Sequence, residues 1–274
     1  MVANMITEAR LKTTVYTCTF SDYDVLLSPL KPTPGVDFVA FCDRPQAARR
    51  WRYAPLPSQT RDLAQNMANR YCKLHPAQLL PECDVSIYAD GNILILDDLS
   101  PLIEEFVASD ADFALFPGQH DRTVAEEIEL TLERNKVQPE WREGAQRQLA
   151  DLRRAGRADL PVTMNGVLFR RHGRPRLDQL MEAWWEDLNR YAMRDQYGLP
   201  GLLLDSDVTV HRWDWQYFHE TNRYFFVHKH RYARLGRLRE LGHALRVRSQ
   251  FVPRDRALYA IYRRLGALGS GRSR

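Results

Sequence analysis

The sequence predicts an α/β domain that carries a helical hairpin insertion and a basic helical tail. Three observations support this. Short β-branched and aromatic runs alternate with stretches of helical periodicity. Two helical patterns follow one another between residues 123 and 155 with no strand between them. Residues 221–274 hold 14 Lys/Arg against 2 Asp/Glu, a charge of +12, whereas residues 1–220 hold 25 against 33, a charge of −8. Such a split describes a mildly acidic body with a basic end that seeks an anionic surface. The body is assigned to residues 1–231, with the hairpin at 120–160, and the tail to residues 232–274.

In chain order, Thr13–Phe20 alternates as a strand and is followed by the polar Ser21-Asp22-Tyr23-Asp24. Val36–Cys42 is a second strand and Trp51-Arg52-Tyr53 a short third. Thr60–Leu74 reads as a helix with Leu63, Met67, Ala68 and Tyr71 on one face. Strands at Val85–Ala89 and Ile93–Leu96 precede a helix at Asp98–Ala108 and a strand at Ala111–Pro117. Thr123 and Glu126 have the spacing of a capping box at the head of a helix to Lys136. Gln138-Pro139 breaks that helix, and Glu140–Ala155 forms the next. Strand character returns at Val162–Arg170, helix at Leu177–Tyr191, and short strands at Val208–Val210 and Tyr224–Val227.

The 274 residues suffice for one substantial core, and 44% hydrophobic with 27% charged residues is ordinary for a globular chain. No apolar run approaches the ~20 residues of a membrane-spanning helix. Residues 1–12 show no signal-peptide core. Cys18, Cys42, Cys72 and Cys83 lack CxxC spacing and read as buried thiols of a reducing compartment. The expected location is therefore cytoplasmic, with the tail bringing the protein to the inner face of a membrane.

Chemistry concentrates where the strand Val85–Ala89 ends at Asp90-Gly91-Asn92. In open α/β sheets ligands bind beyond the carboxyl ends of the strands. A carboxylate, a glycine and an amide there can hold a hard divalent cation, although the same three residues also make an ordinary turn.

The order of Asn69-Arg70-Tyr71-Cys72-Lys73, Leu79-Leu80-Pro81-Glu82, Tyr88-Ala89-Asp90-Gly91-Asn92, Asn165-Gly166-Val167 and Arg194-Asp195-Gln196 resembles the donor-binding half of GT-A glycosyltransferases of the glycogenin-like, galactosyltransferase type. From about Val15 to Arg231 the chain resembles a glycosyltransferase-like family of plants and bacteria, long described as a domain of unknown function and also labelled alkaline ceramidase or mucilage glycosyltransferase-like. Gly166-Val167-Leu168-Phe169-Arg170-Arg171-His172 and Trp184-Trp185 belong to the same ordered set.

The resemblance implies a GT-A-like nucleotide-sugar-binding fold with a mixed, mainly parallel central sheet. It implies a metal-dependent transferase acting from a nucleoside-diphosphate sugar, a UDP-sugar first, onto a glycan or lipid-linked acceptor. Mn2+ or Mg2+ would be held by Asp90, Asn92, His228 and His230. Here Asn92 stands where the usual motif has a second Asp, which lowers the local negative charge. Thr17, Thr19 and Asp43 take the positions of nucleobase and ribose contacts. Arg70, Lys73, Gly91 and Lys229 lie toward the diphosphate, and Asn165 with Gly166 toward the sugar. Asp195 and Gln196 are the catalytic candidates, either as base on an acceptor hydroxyl or as stabiliser beneath the anomeric carbon. Apart from the resemblance, His120 and Asp121 precede the hairpin and are candidates to face the acceptor, with Asp121 or Thr123 as a helix N-cap the alternative, and Arg194 is a further substrate-binding candidate. The alternatives are a lipid amidase of ceramidase type and a non-catalytic nucleotide-sugar or membrane-binding protein. No nucleophile elbow or zinc-type histidine cluster supports the amidase, and no motif beyond charge supports nucleic-acid binding.

Overall fold

The computed structural model describes residues 11–20, 23–46, 48–218, 222–230 and 237–270, with the side chains of residues 120, 237 and 266–270 left aside. Strands β1 (Thr13–Thr19), β2 (Val36–Cys42) and β3 (Arg52–Pro55) lead into helix α1 (Gln65–Leu74) and the single turn α2 (Pro76–Leu79). Then come β4 (Val85–Ala89), β5 (Ile93–Ile95), α3 (Ser100–Ala108) and β6 (Phe113–Pro117). The insertion follows as α4 (Val124–Glu133) and α5 (Arg142–Arg154). The chain returns through β7 (Thr163–Arg171), α6 (Pro175–Arg190), α7 (Asp195–Leu204), β8 (Val210–Arg212) and β9 (Phe225–Val227), and ends in α8 (Arg237–Arg248) and α9 (Pro253–Ser270).

Among the described residues, seven strands form one sheet in the order β3-β2-β1-β4-β7-β6-β8. β1 is parallel to both β2 and β4, β2 to β3 and β6 to β8, whereas β7 runs antiparallel to its neighbours β4 and β6. The sheet is therefore mixed and mainly parallel, as expected. β5 and β9 pair antiparallel as a separate ribbon.

Alternation sends Val15, Ile87, Val167 and Phe169 to one face, where they pack with α3 and with Trp213, Tyr217 and Phe225. Tyr16, Cys18, Tyr88 and Leu168 point to the other face, against α1, α6 and α7. Both faces are covered, so the central strands read as nearly continuous apolar runs. All four cysteines are buried free thiols.

The hairpin begins at the capping box read from the sequence: Thr123 Oγ1 accepts from the Glu126 amide at 3.2 Å, and Glu126 Oε2 accepts from the Thr123 amide at 2.8 Å. Val124, Ile128, Ala145 and Leu149 build a small core there, which Tyr197 of α7 joins.

Beside the unexpected turn α2 and a β8 at Val210–Arg212 rather than Val208–Val210, two helices differ from expectation. The helix expected from Thr60 starts at Gln65, because Ser58–Thr60 closes a 3-10 turn and Ala64 is extended. Helix α7 has no helical signature, since Gly198, Pro200 and Gly201 lie within ten residues. Burial of Tyr197, Leu199 and Leu203 overrides the poor propensity.

Candidate functional site

The chain turns from β1 outward to β2 and β3, then crosses back to place β4 on the other side of β1. Such a reversal opens a crevice beyond the carboxyl ends of the strands. Thr17 and Thr19 of β1 and Asp90, just after β4, stand at that point. β7 runs the other way, so its beginning meets the same edge: Ala89 pairs with Val167, and the Asp90 amide donates to the Gly166 carbonyl at 2.8 Å. A side chain at Gly166 would not fit. Its Cβ would lie 2.6 Å from Tyr217 Oη and 3.0 Å from Asp90 Oδ2, and the Gly166 amide already donates to that tyrosine oxygen at 2.9 Å.

Two carboxylates and two cations meet beside this crevice. Lys73, 1% exposed, donates a short hydrogen bond to Asp195 Oδ2 and lies 3.7 Å from Asp90 Oδ1. Arg70 Nε stands 3.8 Å from Asp195 Oδ2. The three-residue spacing of Arg70 and Lys73 puts both on one face of α1, and 122 residues separate Lys73 from its Asp195 partner. Burial works against an ionised Asp195, yet Arg70 and Lys73 outweigh it and hold the carboxyl well below the usual range. Burial likewise opposes the charge on Arg70, and Asp195 and Asp90 more than restore it. Asp195 is thus a fixed anion and a weak proton acceptor.

Neighbours hold the cluster in place. Tyr88 Oη donates to Asp90 Oδ1 at 2.9 Å. Asn69 Nδ2 donates to the Cys18 carbonyl at 2.6 Å, and Arg70 Nη1 donates to Asn69 Oδ1 at 2.6 Å. Asn165 Nδ2 and Trp184 Nε1 both donate to the Asp195 carbonyl, at 2.8 and 3.2 Å, which pins the head of α7 against β7 and α6. The amide of Asn165 is therefore committed to placing Asp195, and its Oδ1 accepts from Thr163 Oγ1 at 2.8 Å.

A second group adjoins the first. Gly91 lies against Thr19 and Asp24. Asn92 Nδ2 donates to the His228 carbonyl at 3.0 Å and lies 3.4 Å from His230 Nε2. Asp24 Oδ1 sits 2.9 Å from His230 Nδ1. Burial would discharge His230, but Asp24 outweighs it and raises its pKa. A carboxylate on one ring nitrogen is the usual way a protein aims the other at a metal. His228 differs: burial and its neighbour His243 pull its pKa down to about 4.

Among the described residues no group of three or more His, Cys, Asp or Glu side chains is arranged to hold a metal ion. Asp90, the Asn92 amide and His230 form a smaller set of oxygen and nitrogen donors. That set suits Mn2+ or Mg2+ when a bound diphosphate supplies further oxygens. Thr17 Oγ1, Thr19 Oγ1 and His228 Nε2 are buried without a hydrogen-bond partner, and Arg70 Nε makes no hydrogen bond beyond its 3.8 Å ion pair with Asp195.

The remaining candidates lie further out. Asp43 is exposed after β2 and accepts from the Arg44 amide at 2.9 Å. Gln196 is half-buried in the first turn of α7, and Lys229 is exposed between His228 and His230. Arg194 Nη2 reaches toward Glu127 of α4 at 4.0 Å. Asp121 is exposed with φ +48°, and the side chain of His120 lies outside the described residues. Sequence reasoning gave no site role to Asp24, Tyr88 or Tyr217, and it read Trp184 as packing against the sheet, where the structure has it, without its hydrogen bond to Asp195. Of these, only Tyr88 and Trp184 lie within motifs that were visible.

No protein-family model matches the chain, and no curated protein matches it. Solved structures do resemble it. Mouse xyloside xylosyltransferase 1 is 12% identical over 74% of this chain and 85% of that one, with a TM-score of 0.45. The galactosyltransferase LgtC in complex with donor and acceptor sugar analogues is 14% identical over 73% and 72%, with a TM-score of 0.40. Core-mannan synthase A from Aspergillus fumigatus in its Mn/GDP form is 10% identical over 77% and 74%, with a TM-score of 0.41.

Proposed function

We propose that the chain is a GT-A-like, metal-dependent glycosyltransferase that moves a hexosyl group from a nucleoside-diphosphate sugar, a UDP-sugar first, to a glycan or lipid-linked acceptor. The observation that carries this reading is the crevice at the β1–β4 reversal. There Asp90 meets Lys73, Arg70 and Asp195, near the Thr17 and Thr19 hydroxyls, which are buried without a hydrogen-bond partner. The order of motifs supports kinship with the plant and bacterial glycosyltransferase-like family.

Asp90, Asn92 and His230 would hold the metal, which supplies positive charge to the departing diphosphate when bound. Arg70, partly exposed beside Asp195, adds a cation for the same phosphates. Thr17 and Thr19 offer hydroxyls to the nucleoside end. Lys73 is too buried to meet the donor and instead fixes Asp195 and Asp90 relative to each other. Asp195 keeps its charge across the working pH range, so the geometry favours its opposing positive charge at the anomeric carbon over its taking a proton. Gln196, next on the same helix turn, is the neutral hydrogen-bonding partner for the sugar.

The test is release of nucleoside diphosphate from a panel of sugar donors in the presence of Mn2+ and candidate acceptors. Turnover with one donor is expected, and Asp195→Asn should lower it about 100-fold or more with the fold retained. Release of fatty acid from ceramide, with no donor consumed, would overturn the reading in favour of an amidase.

A further inference from the structure

A second cavity, of about 270 Å3, opens at the opposite end of the central strands. It lies where β7 ends beside the start of β4: Arg171 pairs with Val85, and the His172 amide donates to the Asp84 carbonyl. The ends of α1 and α2 and the first turns of α6 complete its wall.

Arg170 lines this cavity and is 1% exposed, one of the largest fully buried side chains of the molecule. Its Nε donates to Met181 Sδ at 3.3 Å and its Nη1 to Tyr16 Oη at 3.2 Å, and the guanidinium lies 5.7 Å from the Phe113 ring centroid. Among the described residues no carboxylate reaches it within ion-pair distance, and Nη2 is buried with no acceptor. Tyr16 is no counter-ion, because burial pushes its phenol far above the ordinary value and its hydroxyl donates to the Lys73 carbonyl at 3.0 Å. A buried cation without an anion is a costly arrangement.

A second orphan lines the same cavity: His172 Nε2 is buried and unpartnered. Burial, then Arg170, lowers the pKa of His172 to about 4, so near neutral pH the ring is uncharged and can donate from one nitrogen. Asp178 and Glu182 also line the cavity, and Glu182 is drawn to His75 Nε2 at 3.4 Å. Neither carboxylate pairs with Arg170 or hydrogen-bonds to His172. We propose that this cavity binds a small oxyanion of phosphate type, held by the Arg170 guanidinium and the His172 ring. The site is separate from the crevice at Asp90 and does not depend on what that crevice does.

The probe is inorganic phosphate added to the full chain in chloride-free buffer, read as a thermal shift. A saturable rise is expected, about 5 °C at roughly 100-fold above Kd. It should persist in Arg70→Ala, which disables the phosphate end of the other crevice. It should vanish in Arg170→Met and in Ala77→Trp, which puts a large ring into the cavity lining and leaves Arg170 unsubstituted. A rise lost in Arg70→Ala and kept in Ala77→Trp would overturn the proposal, as would no saturable rise at all. Crystals soaked in bromide give a readout that needs no variant. Anomalous density beside Arg170 supports the site, and ordered water alone at that position contradicts it.

Discussion

Asp187 shows how one half-buried group sets a pH dependence. It sits in α6, accepts from Gln148 Nε2 at 2.8 Å, and burial raises its pKa from 3.8 to about 6. Between those values the folded chain holds a proton that the unfolded chain has released, so stability falls as pH rises through about 6. Asp187→Asn removes that loss. Chemical denaturation should find the variant equal to wild type near pH 4 and more stable by about 2–3 kcal/mol at pH 8. An equal difference at both pH values would contradict the burial of an acid there. Legibility at this scale follows locality. Asp90, Arg70 and Lys73 were visible because each lies in a strand end or on a helix face. That Lys73 closes on Asp195 was not, because only the tertiary fold brings residues 122 apart into contact. Asp24 left no signal, since its role depends on His230 arriving from 206 residues away.

Among the elements, α7 carries the catalytic candidates and is the least helical in sequence. Gly198 explains part of this. A Cβ there would fall 2.0 Å from Asp187 Oδ2, so the glycine lets α7 lie against α6. Alanine is the better helix former by about 1 kcal/mol, yet Gly198→Ala should destabilise by about 1–3 kcal/mol through overpacking. It should also lower activity, because Asp195 begins the same helix. A more stable variant would mean that the two helices do not touch at this point. The capping box at Thr123 and Glu126 was readable because it is a local pattern of two residues. The α7 boundary was hidden because glycine and proline usually mark loops.

Across the whole molecule, the charge split has a structural counterpart. Both acids of the basic end are buried and paired, Glu240 with Arg44 at 2.8 Å and Asp255 with Arg248 at 2.6 Å. The described outer surface of α8 and α9 is therefore cationic, with Leu258, Ile261 and Leu265 exposed at helical spacing on α9. No helix among the described residues is long and apolar enough to cross a membrane. The pattern fits adsorption to anionic lipid. Flotation with phosphatidylglycerol vesicles should recover wild type, weaken at high salt, and fail for Leu258→Ser combined with Ile261→Ser and Leu265→Ser. Equal recovery on neutral vesicles would contradict an electrostatic contribution. The tail is not simply appended, for Val247 of α8 packs with Val25, Leu27 and Leu94 of the body. Ligand binding at the central crevice should in turn stabilise the entire chain by mass action. The most direct test is therefore the melting temperature with UDP and other nucleoside diphosphates, with and without Mn2+, in wild type and Asp90→Ala. The account predicts a metal-dependent rise with one diphosphate that Asp90→Ala abolishes. No rise with any nucleotide, or one that ignores both the metal and Asp90, would contradict it.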